Sequence, residues 1–141
     1  MKRKMFLTAC FAVVISGVAS VSAFAASKGT KVEVMLLHPG IKCPTCAAIK
    51  ENTIKVVSET FRKEVAAGTI GYKEVVYGPG NNEDLKEKYD VEMTTIILVK
   101  RDADGKESYK NLGKFPADNA RSNPEKYRKE LAKYIYFFMK K

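Results

Sequence analysis

Val32-Glu33-Val34-Met35-Leu36-Leu37-His38-Pro39-Gly40-Ile41-Lys42-Cys43-Pro44-Thr45-Cys46 joins an apolar run, a break and a paired thiol in one short stretch. Val32, Val34 and Leu36 alternate with Glu33 and Met35, so the run reads as a strand that turns fully apolar at Leu36-Leu37. His38-Pro39-Gly40 interrupts it, as proline and glycine do. The cysteines then open a stretch of helical periodicity from Ala47 to Ala67. Two thiols three residues apart at a helix start can close a small disulfide ring. The first sulfur also faces unpaired N–H groups and the positive end of the helix dipole, which favour a thiolate. Pro44 has a φ suited to a first turn and no N–H to leave unsatisfied. Lys42, beside Cys43, and His38 are candidates to stabilise that thiolate further. The bland alternative for His38 is a loop histidine with no catalytic duty. Pro44-Thr45, between the cysteines, does not reveal the direction of electron flow.

Downstream, Ile49, Thr53, Val57 and Phe61 recur at helical spacing with Ile54 and Val65 alongside, and charged residues fill the opposite face. One amphipathic helix is expected, stopping at Gly68. Ile70, Tyr72 and Val75-Val76-Tyr77 read as a second strand ended by Gly78-Pro79-Gly80. Asn81 or Asn82 is expected to cap a short helix with Glu83 and Asp84 in its first turn and Leu85 and Tyr89 on its apolar side. Thr94 to Val99 is rich in β-branched residues and is the most strand-like run. Asp104-Gly105 marks a turn, and Glu107 to Leu112 returns as a hairpin partner. Asn123-Pro124-Glu125 reads as a cap with proline at the first helical position. Tyr127, Leu131, Tyr134, Ile135 and Phe138 form the stripe of a final helix, whose aromatics, Tyr136 and Phe137 included, are expected to pack on the sheet. The order is therefore β-α-β-α-β-β-α. Strands separated by helices favour parallel pairing, and the hairpin adds an antiparallel edge.

The amino terminus reads as an address. Lys2, Arg3 and Lys4 precede a mostly apolar run from Met5 to Val21, and Ala23-Phe24-Ala25 fits a small-x-small cleavage site. Residues 1–25 are expected to be a secretory signal peptide and residues 26–141 one domain, periplasmic or secreted. The apolar run is short for a membrane span and is broken by Ser16, Gly17, Ser20 and Ser22, so no stable anchor is expected after cleavage. Cys10 sits at the start of the apolar run rather than its end, which argues against a lipid-acceptor cysteine. Once the leader is removed, Cys43 and Cys46 are the remaining cysteines, in a compartment where disulfides persist. The 141 residues carry a formal charge of +9, which falls to +6 without the leader. Acidic residues interleave with most of that surplus, so a solvated basic surface is expected and no nucleic-acid partner.

The order of elements, the cysteine pair leading the first helix, the hairpin and the closing helix resemble the thioredoxin-like fold superfamily over about residues 31 to 140. The fold class this implies is α/β, with a central mixed β-sheet of about four strands flanked by helices. The resemblance implies that Cys43 is the exposed nucleophile, forming a mixed disulfide with a substrate. It implies that Cys46, set deeper, resolves the intermediate. The partners it implies are thiol or disulfide substrate proteins and a redox partner, membrane-bound or soluble. No cofactor is expected.

Departures from the family pattern carry information too. Thioredoxins proper have tryptophan around the motif, whereas this chain has none. They also carry a buried acid on the first strand, where Leu37 stands here. Before the strongest strand the family usually has a cis-proline facing the cysteines. Thr94 aligns there and is expected to be trans, since a non-proline cis bond costs about 3 kcal/mol. Its hydroxyl is a candidate to approach the cysteines instead. Two rival functions stay open. Cys43 and Cys46 suit copper(I) or zinc, although a closed zinc site normally takes four ligands. A non-catalytic binding protein on the same fold is the other, because fold does not dictate function. Ala47 stands where haem attachment needs histidine. Gly78-Pro79-Gly80 lacks the lysine and spacing of a phosphate loop.

Overall fold

The computed structural model describes residues 31–40 and 42–141. The proposed leader, residues 1–25, lies outside them. The elements run β1 (Lys31–His38), α1 (Pro44–Lys55), a π-helical stretch (Val56–Thr60), α2 (Arg62–Ala66), β2 (Ile70–Val76) and α3 (Glu83–Lys88). Then come β3 (Thr95–Arg101), β4 (Glu107–Asn111), α4 (Phe115–Asn119) and α5 (Pro124–Lys140). The sheet has the strand order β2-β1-β3-β4. β1 pairs with β2 in parallel, Leu37 opposite Val75, and with β3 antiparallel, Leu37 opposite Thr95. β4 returns antiparallel to β3.

Both faces of the sheet are covered, which is why β3 is apolar without alternation over residues 96–99 and β1 is apolar on both faces over residues 34–37. Val34, Leu36, Ile96 and Leu98 face α1 and α5, where Ile49, Val57, Phe61, Leu131 and Ile135 complete the core. Met35, Leu37, Ile97 and Val99 face the other way, onto Val75, Tyr77, Tyr89 and Val91, with Leu85 of α3 beside them. Met35, read from the sequence as an outward position, is thus buried beneath the α3 side.

Several expectations are corrected in detail. The first helix begins at Pro44 and is not continuous to Ala67, because after three turns it widens at Val56–Thr60, where Phe61 N–H reaches back five residues to Val56 O. Four-residue steps from Ile49 to Phe61 overshoot three α-helical turns by about 120°. The wider turn absorbs that excess, so that Val56, Val57 and Phe61 all reach the core. Ile54 and Val65, assigned to the buried stripe, are exposed. Asn82 precedes α3 but accepts no capping bond; with φ 51° its side chain donates instead to Val76 O at 2.8 Å. α4 is an additional short helix, started by Phe115-Pro116. Asn123 caps α5 as expected, its side chain accepting from Lys126 N–H at 3.0 Å. On α5 Tyr127, Leu131, Ile135 and Phe138 are buried and Tyr134 is half-buried, whereas Tyr136 and Phe137 point outward.

α1 is fastened to the carboxyl-terminal helices by polar bonds as well as packing. Thr53 Oγ1 donates to Ile49 O and lies 2.7 Å from the Tyr127 hydroxyl, which must therefore be the donor in that pair. Asn52 donates to Ala120 O and accepts from Arg128 Nη1 at 2.6 Å. The helix that carries the cysteines is thereby held at its third turn.

Candidate active site

The chain has the thioredoxin-like fold: an open four-stranded mixed sheet in β-α-β-α-β-β-α order, with a CxxC pair at the start of α1, directly after β1. Cys43 is the N-cap of α1, with extended backbone (φ −133°, ψ 152°), and Pro44 opens the helix. Cys43 Sγ accepts the backbone N–H of Cys46 at 3.1 Å. One of the orphan donors of the helix start is thus aimed at the first sulfur, in the way an N-cap side chain normally satisfies it. Cys43 and Cys46 form a disulfide, with Cα atoms 5.3 Å apart. Cys43 is exposed and Cys46 half-buried, as is Thr45 between them.

Thr94, 8 % exposed, ends the segment leading into β3. Its Oγ1 lies 3.7 Å from Cys46 Sγ. The described residues contain no cis peptide, so the bond before Thr94 is trans. A polar clamp that sequence reading did not single out fixes the approach to Thr94. Asn111 donates to Tyr89 O and Asp90 O, its Oδ1 accepts Gly113 N–H, and the Thr95 hydroxyl donates to Gly113 O at 2.9 Å. The sequence signal was Asn111-Leu112-Gly113, a turn-forming pair at the end of a strand. Beside Thr94 opens a cavity of about 270 Å³ lined by Met93, Thr95, Asn111 and Lys114 among others.

His38 is 2 % exposed at the end of β1. Its Nδ1 accepts Gly40 N–H at 3.0 Å and its Nε2 lies 2.9 Å from Glu74 Oε1 on β2. Both ring nitrogens are engaged, so neither is free to contact a thiolate. Glu74 Oε2 pairs with Lys50 of α1 at 2.8 Å. The hydrogen bond from Lys50, seconded by that from His38, holds the Glu74 carboxyl below its usual range. Glu74 and Lys50 are thus part of the scaffold behind the cysteines, and Glu74, next to Lys73 in an otherwise uncharged β2, was the sign of it. Lys42 is exposed and its stem lies along Gly40, whose φ of 127° suits only glycine. Leu37 is fully buried on the α3 side of the sheet. Among the described residues no three His, Cys, Asp or Glu side chains gather into a group able to hold a metal ion. Nor is any helix there long and apolar enough to cross a membrane.

An exposed sulfur next to a helix N-terminus, joined to a recessed one, can be attacked by an external thiolate and can expel its partner. No protein-family model, curated protein or solved structure matches the chain.

Proposed function

We propose that this protein is an exported thiol–disulfide oxidoreductase that exchanges electrons with protein or small-molecule thiols through Cys43 and Cys46. The observation that carries the reading is the position of Cys43: an exposed sulfur at the helix N-cap, accepting the Cys46 N–H. A thiolate there is favoured by that bond and by the helix dipole.

In the reducing direction, the Cys43 thiolate attacks one sulfur of a substrate disulfide. A Cys43–substrate bond forms and the second substrate sulfur leaves as a thiolate. Cys46, having lost its proton, then attacks Cys43 Sγ. The internal disulfide re-forms and the substrate leaves with both sulfurs reduced, having gained two electrons. In the oxidising direction a substrate thiolate attacks Cys43 Sγ and Cys46 is the leaving thiolate, with the Thr94 hydroxyl in place to donate to it. The equilibrium between the two follows the stability of the reduced pair.

Export is supported by the basic start, apolar run and cleavage motif of residues 1–25, and the basic surface leaves an acidic or membrane-bound redox partner open. The test is exchange with glutathione redox buffers. The wild type should equilibrate, Cys43→Ser should lose exchange, and Cys46→Ser should accumulate a mixed disulfide on Cys43. A folded wild type whose disulfide resists exchange would overturn the proposal. Sequencing the amino terminus of the exported product should find it beginning after Ala25.

A further inference from the structure

The His38 ring is wired in one direction. A backbone N–H can only donate, so the 3.0 Å contact from Gly40 requires an unprotonated Nδ1. The ring proton therefore sits on Nε2 and is donated to Glu74 Oε1. Glu74 is ion-paired to Lys50, on the helix that carries the cysteines. The far side of the ring reaches Gly40, in the short link between β1 and Cys43. One buried imidazole thus bridges the scaffold, through Glu74, to the segment that delivers the reactive sulfur. The β1 backbone there is fixed as well, since Tyr77 N–H donates to His38 O at 3.0 Å.

We propose that His38 is a positioning residue for Cys43, and that protonation of its Nδ1 releases the Gly40 link and lowers the reactivity of Cys43. The argument rests on the function proposed above and on hydrogen-bond polarity. Adding a proton at Nδ1 turns an acceptor into a donor, setting two N–H groups against each other inside a buried site. The Gly40 bond is then lost while the bond to Glu74 survives. Glu74 from β2 faces the ring directly, Lys50 of α1 sits on the other Glu74 oxygen, and Lys42 lies beside Gly40 on the link itself. Once the link is free, Cys43 Sγ no longer stays over the Cys46 N–H, and its thiolate loses that stabilisation.

Two near-isosteric variants separate the halves of this device. His38→Asn sets an amide oxygen near the Nδ1 position, so it keeps the Gly40 bond and cannot titrate. His38→Gln sets an amide N–H near the Nε2 position, so it keeps the Glu74 bond and loses the Gly40 one. The readouts on reduced protein are thiolate ultraviolet absorbance and alkylation rate of Cys43 as a function of pH, with thermal stability measured alongside. His38→Asn should match the wild type at high pH. His38→Gln should react about tenfold more slowly where Cys43 is partly ionised, the loss expected for one hydrogen bond. The wild-type rate, corrected for the ionisation of Cys43, should pass from the His38→Asn level to the His38→Gln level as pH falls, and neither variant should show that step. Equal thiolate titrations in all three proteins, or equal loss in both variants, would overturn the proposal. Thiolate titration needs no exchange partner, so it reads this positioning even if glutathione exchange fails and the oxidoreductase reading falls.

Discussion

Thr94 stands where the resemblance to thioredoxins led one to expect a proline, and its hydroxyl takes up a different task. Oγ1 lies 3.7 Å from Cys46 Sγ in the disulfide form. A disulfide sulfur is a weak acceptor, whereas a thiolate is a strong one, so the contact gains most in the reduced protein. Thr94→Val keeps the shape of this nearly buried side chain and removes the donor. It should destabilise the reduced pair by about 1 kcal/mol, moving the reduction potential about 20 mV more negative. Thr94→Ser should stay near the wild type. Equilibration against glutathione measures all three, and a Val variant with an unchanged or raised potential would show that the hydroxyl does not serve Cys46. Cys43 is also a single-residue matter. Its place at the helix start was legible from the spacing alone, because a CxxC pair directly before a periodic run sets its first cysteine where the helix begins. The wiring of His38 was not legible, since it depends on Glu74, which is distant in sequence and meets His38 only when β2 pairs with β1.

At the scale of elements, the four strands, the hairpin and the closing helix follow from local pattern: apolar runs, turn residues and an Asn-Pro start. The details that escaped are those set by tertiary packing. The π-helical stretch was latent in the strict four-residue steps from Ile49 to Phe61, yet only the demand of the core for Val56, Val57 and Phe61 together produces it. Tyr136 and Phe137 look like core residues by composition and are outward by phase, opposite Leu131 and Ile135. Two tyrosine hydroxyls withdrawn from water show how context also decides energetics. The Tyr127 hydroxyl donates to Thr53 and ties α5 to α1, and burial raises its pKa well above the usual phenol. The Tyr72 hydroxyl, on β2, is buried without a hydrogen-bond partner among the described residues, and burial, then Glu74, push it up to about 12. Tyr127→Phe should therefore cost about 1 kcal/mol of stability, whereas Tyr72→Phe should be neutral or stabilising by up to about 1 kcal/mol, since it deletes an unsatisfied polar group. Denaturant melts of the two variants should move in opposite directions or leave Tyr72→Phe unmoved. A loss for Tyr72→Phe as large as for Tyr127→Phe would contradict the account.

For the molecule as a whole, two carboxylates pin the two edges of the sheet. On edge strand β2, Glu74 joins His38 of β1 and Lys50 of α1. On edge strand β4, Glu107 joins Lys88 at 2.7 Å, the Tyr89 hydroxyl at 3.0 Å and the Arg101 guanidinium at 2.9 and 3.1 Å. The Lys88 hydrogen bond first, then Tyr89 and Arg101, hold Glu107 below its usual range, as Lys50 and His38 hold Glu74. Because the folded values are depressed, the stability these groups contribute is present above the unfolded carboxylate range, near 4.5. It is lost as pH falls through the folded values. Acidification also adds charge to a chain that is already basic, and self-repulsion grows with it. The double variant Glu74→Gln, Glu107→Gln keeps acceptor oxygens for His38 and Tyr89 and cannot titrate. It should be less stable than the wild type at neutral pH, and the gap should close as pH falls through the depressed folded values, where the wild-type carboxylates are protonated too. Both groups are partly open to water, so added salt should narrow the neutral-pH gap. Thermal melts across that range measure the difference directly, and parallel curves for the two proteins would mean that neither carboxylate is linked to folding.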